Sequence, residues 1–495
     1  MRSRNFIRYR NFAFFCFFLS FYSNAESSSE ICQQDFQSGN NIYFISPHGK
    51  DYKGDGSRLK PWKNIDVAAS RVPDGSIIIV TQGIYEGSLK FKRPFEKGLL
   101  IKSEYPYQAK LTNDKRVIAF VGNASNITIE GFEITHNSDL SSPLVLHIDG
   151  GGTQNVHHIN IRNNIIHDSF NNDLLKINYG AEHINIECNM FYNQGDSDEH
   201  IDINSVASVT VSDNIFFNDF AKSNRTITKK SSSFIVIKDS NDNEDRFKGS
   251  KDITLTRNVF LNWQGSEGHG FVLIGEDGKP YYEASDVNIY NNLMIGNSSY
   301  PMRSPLGLKG AKNINFYNNT ITGNLPSNAY ALRVNKEGAN KINTNLTLSN
   351  NIWSDKTGTM GQQSSNDTND FSDVLFNQLD DFSMNNNIIF NGINELPSSY
   401  FDKVNPSDDK FLINDDPHLP EVNSLITPVW LKEKQEFDDG SFTIREAFLR
   451  LVLFYGKPTE KLPVQSPVNK RYFPKKDILG KIRTAPHSIG AFHIN

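Results

Sequence analysis

The chain has only three cysteines in 495 residues. Cys16 lies in an apolar run with no lipobox before it, which leaves Cys32 and Cys188. In an oxidising compartment these two could pair, and two unpaired thiols fit the sequence equally well. After residue 25 no stretch is long and apolar enough for a transmembrane helix. Positive charge is also short, with 51 Lys and Arg against 56 Asp and Glu. A generally basic surface for nucleic acid is thereby excluded. An acidic ligand would need local Lys and Arg, or a bridging cation. Two repeat signatures are missing as well: the Leu-rich consensus of horseshoe proteins and the regular blades of propellers.

Residues 1–25 are a different material from the rest. Arg2, Arg4, Arg8 and Arg10 form a basic start, Phe12 to Tyr22 is apolar, and Ser23-Asn24-Ala25 offers small residues for cleavage. This pattern predicts a secretory signal peptide and a secreted or periplasmic protein. Removing it takes away four Arg and no acid, so the formal charge moves from −5 to −9. Aromatic content is high at 12%, with 35 Phe, so the chain can build a core. A monomer is expected.

The middle of the chain repeats. A strand, an Asn and a hydrophobic pair recur as I-N-I-R-N-N-I-I (159–166), I-N-I-E-C-N-M-F (184–191), V-T-V-S-D-N-I-F (209–216), I-T-L-T-R-N-V-F (253–260), V-N-I-Y-N-N-L-M (287–294), I-N-F-Y-N-N-T-I (314–321) and L-T-L-S-N-N-I-W (346–353). The recurrent Asn are 164, 189, 214, 258, 292, 319 and 351. An earlier copy puts Gly131 in this slot, and N-N-N-I-I-F (385–390) extends the set. Short alternating strands at such intervals predict one coil per repeat, with coils stacked about 4.8 Å apart. Asn suits the turn because it tolerates the left-handed conformation and can hydrogen-bond from coil to coil. The expected fold is an all-β right-handed parallel β-helix. Its expected parts are a signal peptide over 1–25, an N-terminal opening segment and cap over 26–90, coils with inserted loops over 91–395, and a C-terminal segment over 396–495. The polar stretch 355–382 is expected as an inserted loop. The apolar spacing of 441–455 predicts a capping helix on the side or C-terminal end.

The opening Y-F-I-S-P-H-G-K-D, P-W-K-N-I and P-D-G-S-I-I-I-V-T-Q-G-I-Y, with the closing D-I-L-G-K-I-R and S-I-G-A-F (477–492), resemble secreted β-helix polysaccharide lyases and epimerases. A sharper resemblance is to the pectate lyases of polysaccharide lyase family 9. That family holds calcium with acidic side chains from two successive coils and uses a Lys from the next coil as base. Asp173 stands one coil before Asp198, Glu199 and Asp202, and Lys238 one coil after. The resemblance therefore implies a Ca2+ cofactor on Asp173, Asp198, Glu199 and Asp202, with Lys238 as base. This chain departs from the pattern at Glu199, which replaces an Asp, at His200, where a small residue is usual, and in the I-V-I before Lys238. The chondroitinase-B-like and alginate lyases of family 6 are a more distant likeness.

Aligning the strands that open successive coils gives P-L-V-L-H (143–147), L-L-K-I-N (174–178), H-I-D-I-N (200–204), F-I-V-I-K (234–238), F-V-L-I-G (271–275) and P-L-G-L-K (305–309). Alternation puts the second and fourth positions inside and the third and fifth outside. The outward polar groups then cluster around Asp202 and Lys238. Lys238 stacks on Asn204, and His147 falls in the same column as Asn178. Lyase chemistry needs such neighbours. The proton α to a uronate carboxylate is barely acidic, and a hard cation on oxygen ligands makes its removal possible. Lys176, His200, Asn204, Arg225, Arg303 and Lys309 are the candidate substrate contacts. The expected partner is an acidic polysaccharide. Other readings are a C5-epimerase on the same scaffold, a non-catalytic carbohydrate-binding or surface β-helix, and a glycoside hydrolase using Asp202 with Asp239 or Glu276 with Asp277.

Overall fold

The structure is a computed structural model. It describes Cys32 and residues 41–494, apart from 139–142, 153–154, 196–197, 227–230, 243, 266–267, 326, 362–369, 463–469 and 486–487. The expected signal peptide lies outside the described residues.

Three long sheets run side by side along the molecule, with 12, 10 and 11 strands, and neighbours within each are parallel. Each full coil contributes one strand to each sheet. His157–Arg162 lies in the first sheet, Ile165–His167 in the third and Leu175–Asn178 in the second before the chain re-enters the first at Glu182–Glu187. This is a right-handed parallel β-helix, the hand that parallel crossovers take. Inward Ile and Val alternate along each strand and fill the interior. The rings of Phe191, Phe216 and Phe260, one per coil, stack at 5.1 and 5.0 Å.

The Asn repeat is a hydrogen-bonded ladder. Each ladder Asn accepts the backbone N–H of the one before it, from Asn164 N–H to Asn189 at 3.0 Å through Asn351 N–H to Asn387 at 2.8 Å. The left-handed residue is not this Asn but the one before it: Asn163, Cys188, Asp213, Arg257, Asn291, Asn318, Asn350 and Asn386 all have φ between 51° and 61°. Gly131, with φ 81°, sits in that left-handed slot, and Phe132 occupies the ladder slot, donating its N–H to Asn164. The two roles fall on adjacent residues because one side chain must point in to reach its neighbour while the other turns the backbone. Asp409 closes the ladder by accepting the N–H groups of Asn386 and Asn387 at 2.9 Å.

The helix Ile65–Arg71 sets Ile65, Ala68 and Ala69 in the core at the start of the solenoid. Residues 355–382 are not a single loop. They contain Asp370–Val374, a strand of the second sheet with Phe371 and Val374 buried. Its Asp and Ser residues and the lack of an Asn turn hide it in the sequence. The helix Ile444–Leu451 places Ile444, Ala447, Phe448 and Leu451, one apolar stripe, against the outer face of the third sheet at Ile215, Val259 and Leu293. Thr443 caps it by accepting the Glu446 N–H at 3.1 Å. Cys32 and Cys188 form a disulfide, with Cα atoms 6.0 Å apart. Among the described residues, no helix is long and apolar enough to cross a membrane.

Candidate functional site

The second sheet carries the acidic residues. In register, Lys176 pairs with Asp202, then Val236, Leu273 and Gly307, while Asn178 pairs with Asn204 and then Lys238. These are the rows that alternation predicts. The first coil differs by two residues: His147 pairs with Lys176 and Asp149 with Asn178. A two-residue shift keeps the inside and outside faces, so alternation alone does not reveal it.

Asp173, Glu199 and Asp202 bring one carboxylate oxygen each within 4.8 Å of one another, and all three are buried. Asp173 precedes its strand and accepts the Glu199 N–H at 3.0 Å, which binds the two coils together at the site. Asp198 stands outside this trio. It is half-buried and accepts from the Asn172 amide at 2.9 Å. Lys176 donates to Asp202 and lies 3.9 Å from Asp173. Lys238 donates to Glu276 at 2.5 Å.

The electrostatics show a deficit of positive charge. Burial and the neighbouring acids push the carboxyls of Asp173 and Glu199 up. The same causes bring Asp198 to about 7. Burial acts to lower Lys238, but Asp202, Glu199 and Glu276 outweigh it and hold the ammonium well above its ordinary value. Asp202 Oδ1 has no hydrogen-bond partner among the described residues. Three converging oxygen donors, one of them unsatisfied, fit a hard cation such as calcium. Two ammonium groups stand among five carboxyl groups, Asp173, Asp198, Glu199, Asp202 and Glu276.

The other expected contacts are dispersed. His200 is fully buried, not on the outer face. Its ring stacks on Phe234 at 4.3 Å, and Asn218 holds its Nε2 at 3.0 Å. It precedes the strand Ile201–Asn204, at a corner where alternation does not apply, and burial lowers it to about 3. Asn204 is buried and donates to Ser240 at 2.7 Å. Arg225 is spent on Asp168 at 3.2 Å and on the Asn193 carbonyl at 2.9 Å, and it lies over Phe170. It braces the backbone at Asn193 and Gln194. Arg303 and Lys309 do come together, around a cavity further along the sheet that Arg333 also lines. Glu276, as the partner of Lys238, and Arg333 were missed by sequence reasoning. A-L-R-V-N (331–335) continues the coil-opening pattern and would have exposed Arg333, which pairs in register with Gly307.

No family model and no curated protein matches the chain. Solved structures do. Pectate lyase Pel9A is similar at 12% identity over 92% of this chain and 97% of its own, with a TM-score of 0.46. The polysaccharide lyase Pedsa3628 of family 6, from Pseudopedobacter saltans, is similar at 12% identity over 81% and 99%, with a TM-score of 0.43. XylC, solved with xylose, is similar at 12% identity over 92% and 98%, with a TM-score of 0.42.

Proposed function

We propose that this protein is a secreted or periplasmic polysaccharide lyase that cleaves an acidic, uronate-containing glycan by calcium-assisted β-elimination. The observation that carries the reading is the buried trio Asp173, Glu199 and Asp202 with Lys238 one coil away on the same face. The disulfide and the absence, among the described residues, of a membrane-crossing helix fit the oxidising compartment in which such a substrate is met.

Asp173, Glu199 and Asp202 would hold the cation, with Asp198 beside them. When bound, calcium neutralises the sugar carboxylate and so acidifies the adjacent C5 proton. Lys238 takes that proton on Nζ. The C5–H electrons form the C4–C5 double bond, the C4–O bond breaks, and the departing oxygen receives a proton from water or from the Lys238 ammonium. Lys238 accepts a proton only when neutral, so the carboxylates that keep it charged must be satisfied first. Lys176, paired with Asp202, is placed to change partner and meet the substrate carboxylate. Arg303 and Lys309 are proposed contacts further along the chain of sugars.

The test is incubation of the protein with polygalacturonate, alginate and chondroitin sulfate, with calcium or with EDTA, followed by ultraviolet absorbance of the unsaturated product. Calcium-dependent absorbance on one of them supports the lyase. Flat traces on all three would sink it for these polymers, and retained binding would favour the non-catalytic carbohydrate-binding reading. A C5-epimerase shares the proton abstraction but leaves the chain uncut.

A further inference from the structure

A second cationic cluster lies on the outer face of the same sheet, beyond Lys238. The coil of Ile235–Lys238 is followed by Val272–Ile274, then Leu306–Lys309, then Ala329–Asn335. Arg333 is thus three coils from the Lys238 coil, and its neighbours Leu332 and Val334 point into the core. Arg303 and Arg333 converge on one carboxylate. Arg303 donates to Asp373, and Arg333 Nε lies 3.2 Å from the same Asp373 oxygen. Lys309 stands beside them, 3.2 Å from Glu337. Three cations, Arg303, Arg333 and Lys309, thus share two carboxylates, Asp373 and Glu337. The cavity that Arg303, Lys309 and Arg333 line holds about 10 Å³. That is room for one water-sized group, such as a carboxylate oxygen, and not for a sugar ring. Gly307, in the row of Asp202 and Arg333, keeps the floor open, since a Cβ there would meet Leu273 at 2.9 Å.

We propose that this notch is a carboxylate-binding subsite for the acidic glycan, and that Asp373, which pairs with both guanidinium groups in the free protein, competes with the sugar's acid group for them. The proposal rests on the acidic-polysaccharide reading above. Arg303 donates to Asp373, while Arg333 Nε is near enough for an ion pair but makes no hydrogen bond among the described residues, so a substrate carboxylate would supply the acceptor that Arg333 lacks. Strand spacing of about 4.8 Å is close to the length of one pyranose unit. A glycan lying along the sheet therefore advances roughly one sugar per coil, and the notch grips an acid group about 14 Å from the coil of Lys238. The apolar Leu273 lies between, in the same row. The notch thus sets the length of substrate the protein prefers: chains long enough to span three coils gain a contact that shorter ones lack.

The test measures binding rather than turnover, in a Lys238→Ala background so that cleavage is slow. Affinity electrophoresis and calorimetry with polygalacturonate, alginate and chondroitin sulfate, in calcium, compare this parent with added Arg333→Ala and Asp373→Asn. Arg333→Ala is expected to weaken the bound polymer about tenfold, as loss of a charged pair does. Asp373→Asn is expected to tighten it several-fold, a gain that misfolding cannot imitate. Trisaccharides are expected to bind both variants like the parent. Equal affinity of Arg333→Ala and parent for the polymers, or no polymer binding at all, overturns the notch. If binding follows these variants while Lys238-containing protein forms no unsaturated product, the notch stands and the lyase reading falls.

Discussion

Asp202 and Lys238 stand on adjacent coils but in different rows: Asp202 pairs in register with Val236, and Lys238 pairs with Asn204. Lys238 and Asp202 are therefore offset by two residues along the strand, on one outward face. A substrate carboxylate at the trio then lies beside Lys238 and not on top of it. Replacing Lys238 with Ala is expected to lower the elimination rate by about 10²–10⁴-fold, with calcium affinity retained. A rate within threefold of wild type would assign the base elsewhere, and Lys176 is the first alternative.

Calcium binding should depend on the trio and raise stability. Calorimetric titration is expected to give one site in wild type and none in Asp202→Asn or Glu199→Gln. Calcium at 100 times its dissociation constant should add about 2.7 kcal/mol to the stability of wild type. The Glu199→Gln protein should show no such gain, and in EDTA it should melt no lower than wild type, because burial and the neighbouring acids already push Glu199 toward the neutral form that Gln copies. An unchanged melting curve of wild type on adding calcium would count against the site.

The ladder and the left-handed slot make opposite demands, which adjacent residues test. Asn387 donates to Leu348 O and Asp409 and accepts from Asn351, all buried. Asn387→Gly is expected to cost about 3 kcal/mol or more. Asn386, with φ 61°, holds the turn. Asn386→Gly should be neutral within about 0.5 kcal/mol. Equal costs in thermal unfolding would mean that the two slots are not distinct.

Much of this was legible from residue spacing. Period-two alternation and the recurrent Asn define the coils, and the rows from Lys176 to Gly307 follow from them, because an inward Ile or Val column fixes the outward one. Three things were not legible. His200 was expected at the substrate, but it sits at a corner among Phe216 and Phe234, where alternation stops. Gly131 takes the left-handed slot and Phe132 the ladder slot, a one-residue difference that spacing hides because Asn is suited to both. Arg225 is consumed by Asp168 and two carbonyls, a long-range partnership without a sequence signal.

The corrected position of His200 has a measurable consequence. His200→Phe extends the aromatic stack toward Phe234 and leaves Asn218 bonded to the Asn193 N–H at 2.9 Å. Its KM for the polymer is expected within twofold of wild type. A large rise in KM with unchanged melting would restore His200 as a substrate contact.

Acid should weaken the fold through its buried histidines. Burial lowers His136 to about 4 from 6.5, and its Nδ1 accepts the Phe170 N–H at 3.2 Å. The unfolded chain takes up this proton below about 6.5, and the folded one only near 4. The stabilisation is thus complete above 6.5 and is lost as pH falls toward 4, by at most about 3 kcal/mol. His136→Gln is expected to flatten the fall in melting temperature across that window. An unaltered slope would show that His136 is not held neutral.

The most direct test is mass spectrometry of the fragments released from a defined uronate oligomer in calcium. Elimination predicts that fragment masses sum to that of the substrate, with one fragment lighter by a water than its hydrolytic counterpart, and that Lys238→Ala slows their release by about 10²–10⁴-fold. Fragments whose masses sum to that of the substrate plus one water per cleaved bond would identify a hydrolase and contradict the account, and an uncut oligomer that binds would leave a carbohydrate-binding β-helix.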